Sequence, residues 1–207
     1  MTDAATGAWA LVPLAGLWFL AAATPGPNML LVGHRAVRDG WAAGAMAACG
    51  TAAGTFVWAS GGLFGLSVLL AALPEAGAAI RIAGGLYLVF AGIAMWRSAG
   101  RAEAPGTGGV SLIAAFRAGL VTNLANPKSA AFAALIFAVA LPADAPTWLR
   151  LAAVATVVAV SLACYLAVAR SISRPRIGAL YLAARRTVAR LAGGLFVLFG
   201  LRLALDR

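Results

Sequence analysis

Lys128 is the only lysine in the chain, and it follows Asn126 and Pro127 inside a long apolar stretch. A second proline group, Thr24-Pro25-Gly26-Pro27-Asn28, interrupts an earlier apolar stretch. A proline inside a helix removes one N–H donor and pushes away the carbonyl four residues earlier. Pro25 and Pro27 therefore free carbonyls near Ala21 and Ala23, and Pro127 frees that of Asn123. Proline also suits the first turn of a helix, with Asn or Thr as the cap before it. Pro27 and Pro127 are each expected to begin a new half-helix. Such an N-terminus carries partial positive charge and open N–H groups, which suit a carboxylate. Freed carbonyls at the end of the preceding half-helix suit an ammonium or another cation. The chemistry on offer is the binding of a small charged or zwitterionic solute.

Lys128 sharpens this. A lysine at the centre of a bilayer costs about 2.5–3.5 kcal/mol, and a helix N-terminus disfavours it further. It needs an acceptor, and no carboxylate stands near it in sequence, whereas Asn123 and Asn126 do. Two roles stand open: contact with a substrate carboxylate, or a bracing bond to carbonyls of the first break. Thr55 and Thr122 are candidate lining residues, with bonding to their own helix backbone as the alternative. Tyr87 faces the first break if the two halves pack about a common centre. Trp18 and Trp58 lie deep in their spans and are read as facing lipid, with walling of the site as the alternative.

What must position these groups is a membrane. Apolar residues make up 63% of the 207, charged ones 11%, and the mean hydropathy is +0.93. Soluble domains are about 45–50% apolar and about 25% charged. That excludes a soluble enzyme, a disordered chain and a nucleic-acid-binding domain. A helix needs about 20 apolar residues to cross a bilayer. Six candidate spans follow: 9–33, 42–72, 78–96, 113–141, 148–169 and 188–205. The first has no basic segment before it and reads as an anchor rather than a cleaved leader.

Arginines orient the set. The loops near 34–40, 97–117 and 170–190 share one side and hold eleven of them, against four on the other side (Arg81, Arg150, Arg202 and Arg207). Such a bias places the basic side in the cytoplasm and both termini outside it. Contact with anionic lipid accounts for the remaining charge.

An internal repeat sets the halves. Residues 81–87 read R-I-A-G-G-L-Y and residues 190–196 read R-L-A-G-G-L-F. The order of broken span, long span and glycine-paired span occurs twice. The chain divides into 1–104 and 110–207, joined by a Pro/Gly-rich connection at 105–109. Three spans per half is an odd number, so the halves insert in opposite directions, the plan of many secondary transporters. The expected fold is an all-α integral membrane protein of six transmembrane helices in two inverted three-helix repeats, with helices one and four broken.

On these motifs the chain resembles the LysE/RhtB family of bacterial amino-acid exporters over nearly its whole length. The residues that carry the likeness are Pro25-Gly26-Pro27-Asn28, the span with Gly50 and Gly54, the A-G-G-L-Y run at 83–87, and Asn123 with Asn126-Pro127-Lys128. The resemblance implies a multi-pass exporter of the bacterial cytoplasmic membrane, driven by a proton or other ion gradient, with an amino acid as substrate. It marks Pro25, Gly26, Pro27, Asn28, Asn126, Pro127 and Lys128 as signature residues. Family members often carry an acidic residue just after the second glycine of span two, where this chain has Thr55. None of its six carboxylates is central in a span, which points away from cationic amino acids. Asp39, Glu75 and His34 are interfacial candidates for a proton carrier.

No cofactor or metal site is expected, since there is no cluster of metal ligands, and no enzyme, since there is no catalytic set. Two other functions stay open. One is a thiol–disulfide electron carrier using Cys49 and Cys164, and the other is a passive channel. The glycine-paired faces serve a monomer or a homodimer equally.

Overall fold

The computed structural model describes residues 9–65, 110–141 and 145–205, together with scattered helical positions between 82 and 97. The described chain is helical throughout, without strands. Helix α1 spans Leu11–Ala23 and α2 Pro27–Arg38. Helix α3 spans Trp41–Ser60 and runs on into one π-helical turn, Gly61–Gly65. Helix α4 spans Leu112–Leu124, α5 Pro127–Ala140, α6 Thr147–Ile172 and α7 Pro175–Leu205. By length and composition, Trp41–Leu63 and Thr147–Ile172 can each cross a membrane, and the bent pair α1–α2 makes a third candidate.

Both expected breaks fall at the proline groups. Between α1 and α2 the axis turns by 61°. Thr24 closes α1 with its backbone N–H and hydroxyl both donating to the Leu20 carbonyl, at 3.0 and 2.7 Å. Pro25 cannot donate, Gly26 runs extended, and Pro27 opens α2. The cap of α2 is therefore Gly26 and not Thr24, whose side chain is turned back to the helix before it. At the second break Asn126 caps α5 as expected, its Oδ1 accepting from the Lys128 backbone N–H at 3.1 Å.

One span boundary needs correction. The helix holding residues 188–205 begins at Pro175, so the basic segment read as a loop over 170–190 is largely helical, and only 173 and 174 separate α6 from α7. Hydropathy marks where a helix enters lipid. It does not mark where the helix starts, and Ala, Leu and Arg are good helix formers on the wet side as well. Tyr181 on this early part of α7 donates to the Leu30 carbonyl of α2 at 3.1 Å. Arg170 stacks over the Trp41 ring at 5.9 Å, which fixes the end of α6 against the start of α3.

Inside a bilayer the lipid is as apolar as leucine, so helices associate through close packing rather than through exclusion of water. The interior follows this, being rich in buried alanine, including Ala47, Ala48, Ala59, Ala133, Ala153 and Ala169. The tightest contact joins α3 to α4. A Cβ at Gly50 would overlap the Phe116 carbonyl, and one at Gly119 would overlap the Ala47 carbonyl. Residues 47, 50 and 54 of α3 thus meet 119, 116 and 123 of α4, so the two helices run parallel. Leu17, Phe19, Leu20, Phe56, Val57 and Leu151 point outward, as a lipid-facing surface requires.

Two apolar clusters stack along the helices. One gathers Leu14, Trp18, Ala59, Leu63, Phe137 and Val157, and the other gathers Ala22, Val32, Ala47, Cys164, Tyr165 and Ala169. The buried polar residues between them are Thr51 and Thr55 on α3 and Ser161 on α6. A polar layer is therefore held at mid-depth, and both helix breaks open onto it.

Tyr87, Arg81, Glu75 and the 105–109 connection lie outside the described residues. Gly85, Gly92, Gly193 and Gly200 are described. A Cβ at Gly92 would overlap the Gly193 carbonyl, and one at Gly200 would lie 2.5 Å from the Gly85 carbonyl. Each glycine run thus packs on a later glycine of the other helix, Gly85 against Gly200 and Gly193 against Gly92, so the two helices run antiparallel and meet nearly reciprocally.

Candidate functional site

The polar layer lines a small, partly open cavity with about 20 Å³ of free space, room for about one water molecule. Its polar lining comes from both breaks and from the two long helices: Asn28, Asn126, Lys128 and Ser129, with Asn123, Thr55 and Ser161 beside them. Trp18, Phe132 and Tyr165 supply the aromatic walls.

Lys128 is 6% exposed. Its Nζ donates to the Thr24 carbonyl at 2.8 Å. The amine passes beside Gly26, where a Cβ would lie 3.7 Å from Nζ. The cost of taking a cation out of water is thus offset in part by a carbonyl that Pro25 and Gly26 leave outside regular helix. Around it the lining carries no carboxylate among the described residues, so Lys128 is the cavity's one charged group there.

A hydrogen-bonded chain closes the rest of the layer. Trp18 Nε1 donates to Ser161 Oγ at 2.7 Å, and Thr55 Oγ1 donates to the same oxygen at 3.4 Å. Asn123 Nδ2 donates to Thr55 Oγ1 at 3.3 Å, and Trp58 Nε1 to the Asn123 carbonyl at 3.1 Å. Across the two breaks, Asn28 Nδ2 donates to Ser129 Oγ at 3.2 Å. In a medium that offers no competing water such bonds also fix helix positions.

The structure brings together most of the residues singled out in the sequence. Asn28, Thr55, Asn123, Asn126 and Lys128 all line the cavity, and Gly26 packs against Lys128. Pro25 and Pro27 shape the first break from half-buried positions, and Pro127 begins α5. Thr122 is half-buried on α4 and does not line the cavity. Trp18 is not a lipid-facing residue: it is 4% exposed, because its indole N–H requires a partner and finds Ser161. Sequence reasoning missed Ser129, Phe132, Ser161 and Tyr165. Ser161 had a signal, being one of two small hydroxyls, with Thr156, in a mostly apolar span. Asp39 is paired with Arg35 at 3.0 Å, away from the cavity lining. Cys49 and Cys164 are free thiols.

A polar cavity with a buried cation thus lies at the meeting point of two helix breaks, among apolar helices suited to crossing a membrane. Comparison with known proteins names the kind of protein. Residues 19–207 match the LysE type translocator family, and the chain belongs to that family. It is 34% identical over 194 residues to the uncharacterized membrane protein YahN of Escherichia coli K12, covering 91% of this chain and 86% of that one. It is 30% identical over 189 residues to the threonine efflux protein of the same strain, covering 89% and 92%. The threonine efflux protein of Salmonella typhi is 28% identical over the same length. No solved structure matches this chain.

Proposed function

We propose that the protein is a secondary exporter of small neutral amino acids or closely related metabolites across the bacterial cytoplasmic membrane. The cavity between the two breaks is its transport site. The observation that carries this is Lys128, a buried cation in a cavity whose described lining has no carboxylate. Such a site balances a substrate carboxylate and disfavours lysine or arginine. The N-terminal turns of α2 and α5 open onto the same space through Asn28, Lys128 and Ser129. Their dipoles add to the attraction for an anionic group. The threonine efflux relatives support a small hydroxylated amino acid as the substrate.

Six spans in two inverted repeats, dividing at 105–109, complete the reading. The parallel run of α3 and α4 supports it, since an odd number of crossings between two parallel spans leaves three spans to each half. So does the reciprocal packing of the glycine runs. The arginine bias puts the short α6–α7 connection in the cytoplasm. Transport proceeds by alternating access, the apolar cluster on either side of the polar layer serving in turn as the closed gate, and an ion gradient drives it.

The test is export during peptide feeding. Cells producing the protein, its Lys128→Met variant or neither receive mixed dipeptides, and amino acids appearing in the medium are followed by mass spectrometry. Faster release of small neutral amino acids, lost in the variant, is the expected result. Release against a concentration gradient separates a transporter from a channel. Equal release from all three cell types would overturn the assignment.

A further inference from the structure

The backbone carbonyls at the breaks are the acceptors that the sequence offers for a substrate ammonium, but two of them are already engaged. The Thr24 carbonyl accepts from Lys128 Nζ at 2.8 Å. The Asn123 carbonyl accepts from Trp58 Nε1 at 3.1 Å and from the Asn126 N–H at 3.0 Å. Two side-chain oxygens are buried without a donor: Asn28 Oδ1 and Asn123 Oδ1. Their residues are 3% and 1% exposed, and both line the cavity.

Each amide is held by its other end. Asn28 Nδ2 donates to Ser129 and Asn123 Nδ2 to Thr55, so the oxygens are oriented as well as free. A buried acceptor without a donor is costly, and natural proteins carry few of them. Here two belong to one cavity, one from each half of the chain. Beside the Asn123 oxygen stands Gly54, where a Cβ would approach to 2.9 Å, so only a glycine leaves that oxygen uncrowded.

We propose that Asn28 Oδ1 and Asn123 Oδ1 receive the ammonium group of the transported solute while Lys128 faces its carboxylate. This deepens the transport-site reading above and rests on it. An ammonium carries three N–H donors and no acceptor, so two amide oxygens satisfy most of it without adding negative charge. The cavity then recognises both ends of a zwitterion. A deaminated acid leaves the two oxygens unpaired, and an N-acylated one offers a single N–H. A dibasic amino acid leaves its second cation without a counter-charge.

The experiment is competition against radiolabelled L-threonine on the purified full-length protein in lipid nanodiscs. The competitors are L-threonine, 3-hydroxybutanoate, N-acetylthreonine and threoninol. The wild type should prefer threonine to 3-hydroxybutanoate by at least about tenfold. Asn28→Leu and Asn123→Leu should each cut that preference about tenfold, with 3-hydroxybutanoate binding changed less than about threefold. If both ligands weaken together, the asparagines only hold the cavity's shape and the proposal is overturned. Should the leucine variants not fold, Asn28→Asp and Asn123→Asp replace them. These retain an oxygen and add charge, and must raise the preference for ammonium-bearing ligands; an unchanged preference overturns the proposal. Replacing sodium by choline should leave threonine binding intact, whereas a sodium requirement would assign the two oxygens to an inorganic ion. A wild type that binds neither threonine nor any analogue defeats the transport-site reading itself, a different outcome from loss of the ammonium preference alone.

Discussion

Lys128 Nζ meets the Thr24 carbonyl at 2.8 Å, so the first turn of α5 is tied to the last turn of α1. The bracing role that the sequence left open is thus present in the structure, and carboxylate contact is the role proposed for the same amine.

The two roles separate experimentally. Lys128→Met gives up a charge-assisted bond of about 1.5–3 kcal/mol but also removes the cost of a buried cation. We expect the variant to insert and purify normally, with a melting temperature within a few degrees of wild type, while export falls at least about tenfold. Fluorescence-detected chromatography with a thermal ramp, beside the export assay, checks both halves of the prediction.

Gly50 and Gly119 should tolerate nothing larger. Each meets backbone of the neighbouring helix, which cannot rotate away as a side chain can. Overpacking of this kind costs about 1–3 kcal/mol or more. Gly50→Val and Gly119→Val are expected to lose most folded protein from the membrane fraction. Gly16→Val has open space around it and should not. Quantitative blotting of membranes settles the comparison.

Trp18→Phe keeps the ring in its apolar cluster and deletes the donor to Ser161. A loss of about 1 kcal/mol is expected, or roughly 2–4 °C in the midpoint of thermal unfolding. In a double-mutant cycle with Ser161→Ala, the combined variant should be less destabilised than the sum of the two singles. Strict additivity would show that the bond contributes nothing.

Tyr181→Phe removes the bond to the Leu30 carbonyl but leaves the ring against Gly33. The fold should survive with a small loss, about 0.5–1.5 kcal/mol. Hydrogen exchange over residues 175–186 should rise, because the early part of α7 loses its hold on α2. No change in exchange there would mean that ring packing alone secures the contact.

Cys49→Ala with Cys164→Ala should keep full transport. Both thiols are free, and Cys164 sits in an apolar cluster where a small residue suffices. Loss of activity in this double variant would revive the electron-carrier reading.

Much of this was legible beforehand because the chemistry of a bilayer narrows the choices. Prolines at membrane depth must face a cavity, a lone lysine there must find an acceptor, and paired glycines must bring backbones together. The first two arguments locate both breaks and Lys128, and the third applies to the A-G-G-L runs, where Gly85 and Gly193 do meet a neighbouring helix; the close approach of α3 at Gly50 was not read from the sequence. What stayed hidden depends on rotation about a helix axis. In an apolar span no charge or period shows which side turns inward, so Trp18 read as lipid-facing and Thr122 as lining. Ser129, Phe132, Ser161 and Tyr165 escaped for the same reason: each is an ordinary residue type made important only by the face it occupies. The start of α7 escaped because hydropathy is blind to helix that lies outside the hydrocarbon.

The parallel seam between α3 and α4 also bears on how the protein is made. The face of α3 that carries Gly50, Thr51 and Gly54 is covered by helices of the second half, which leave the ribosome later. At roughly 5–20 residues per second, the first half waits several seconds in the membrane with that face turned to lipid or to an insertion chaperone. Its polar groups find their cross-helix partners only when α4 and α6 arrive. The segment up to α3 is therefore packed and hydrogen-bonded against the segment from α4 onward. Expressed as separate polypeptides, they should each be short-lived alone and persist when produced together.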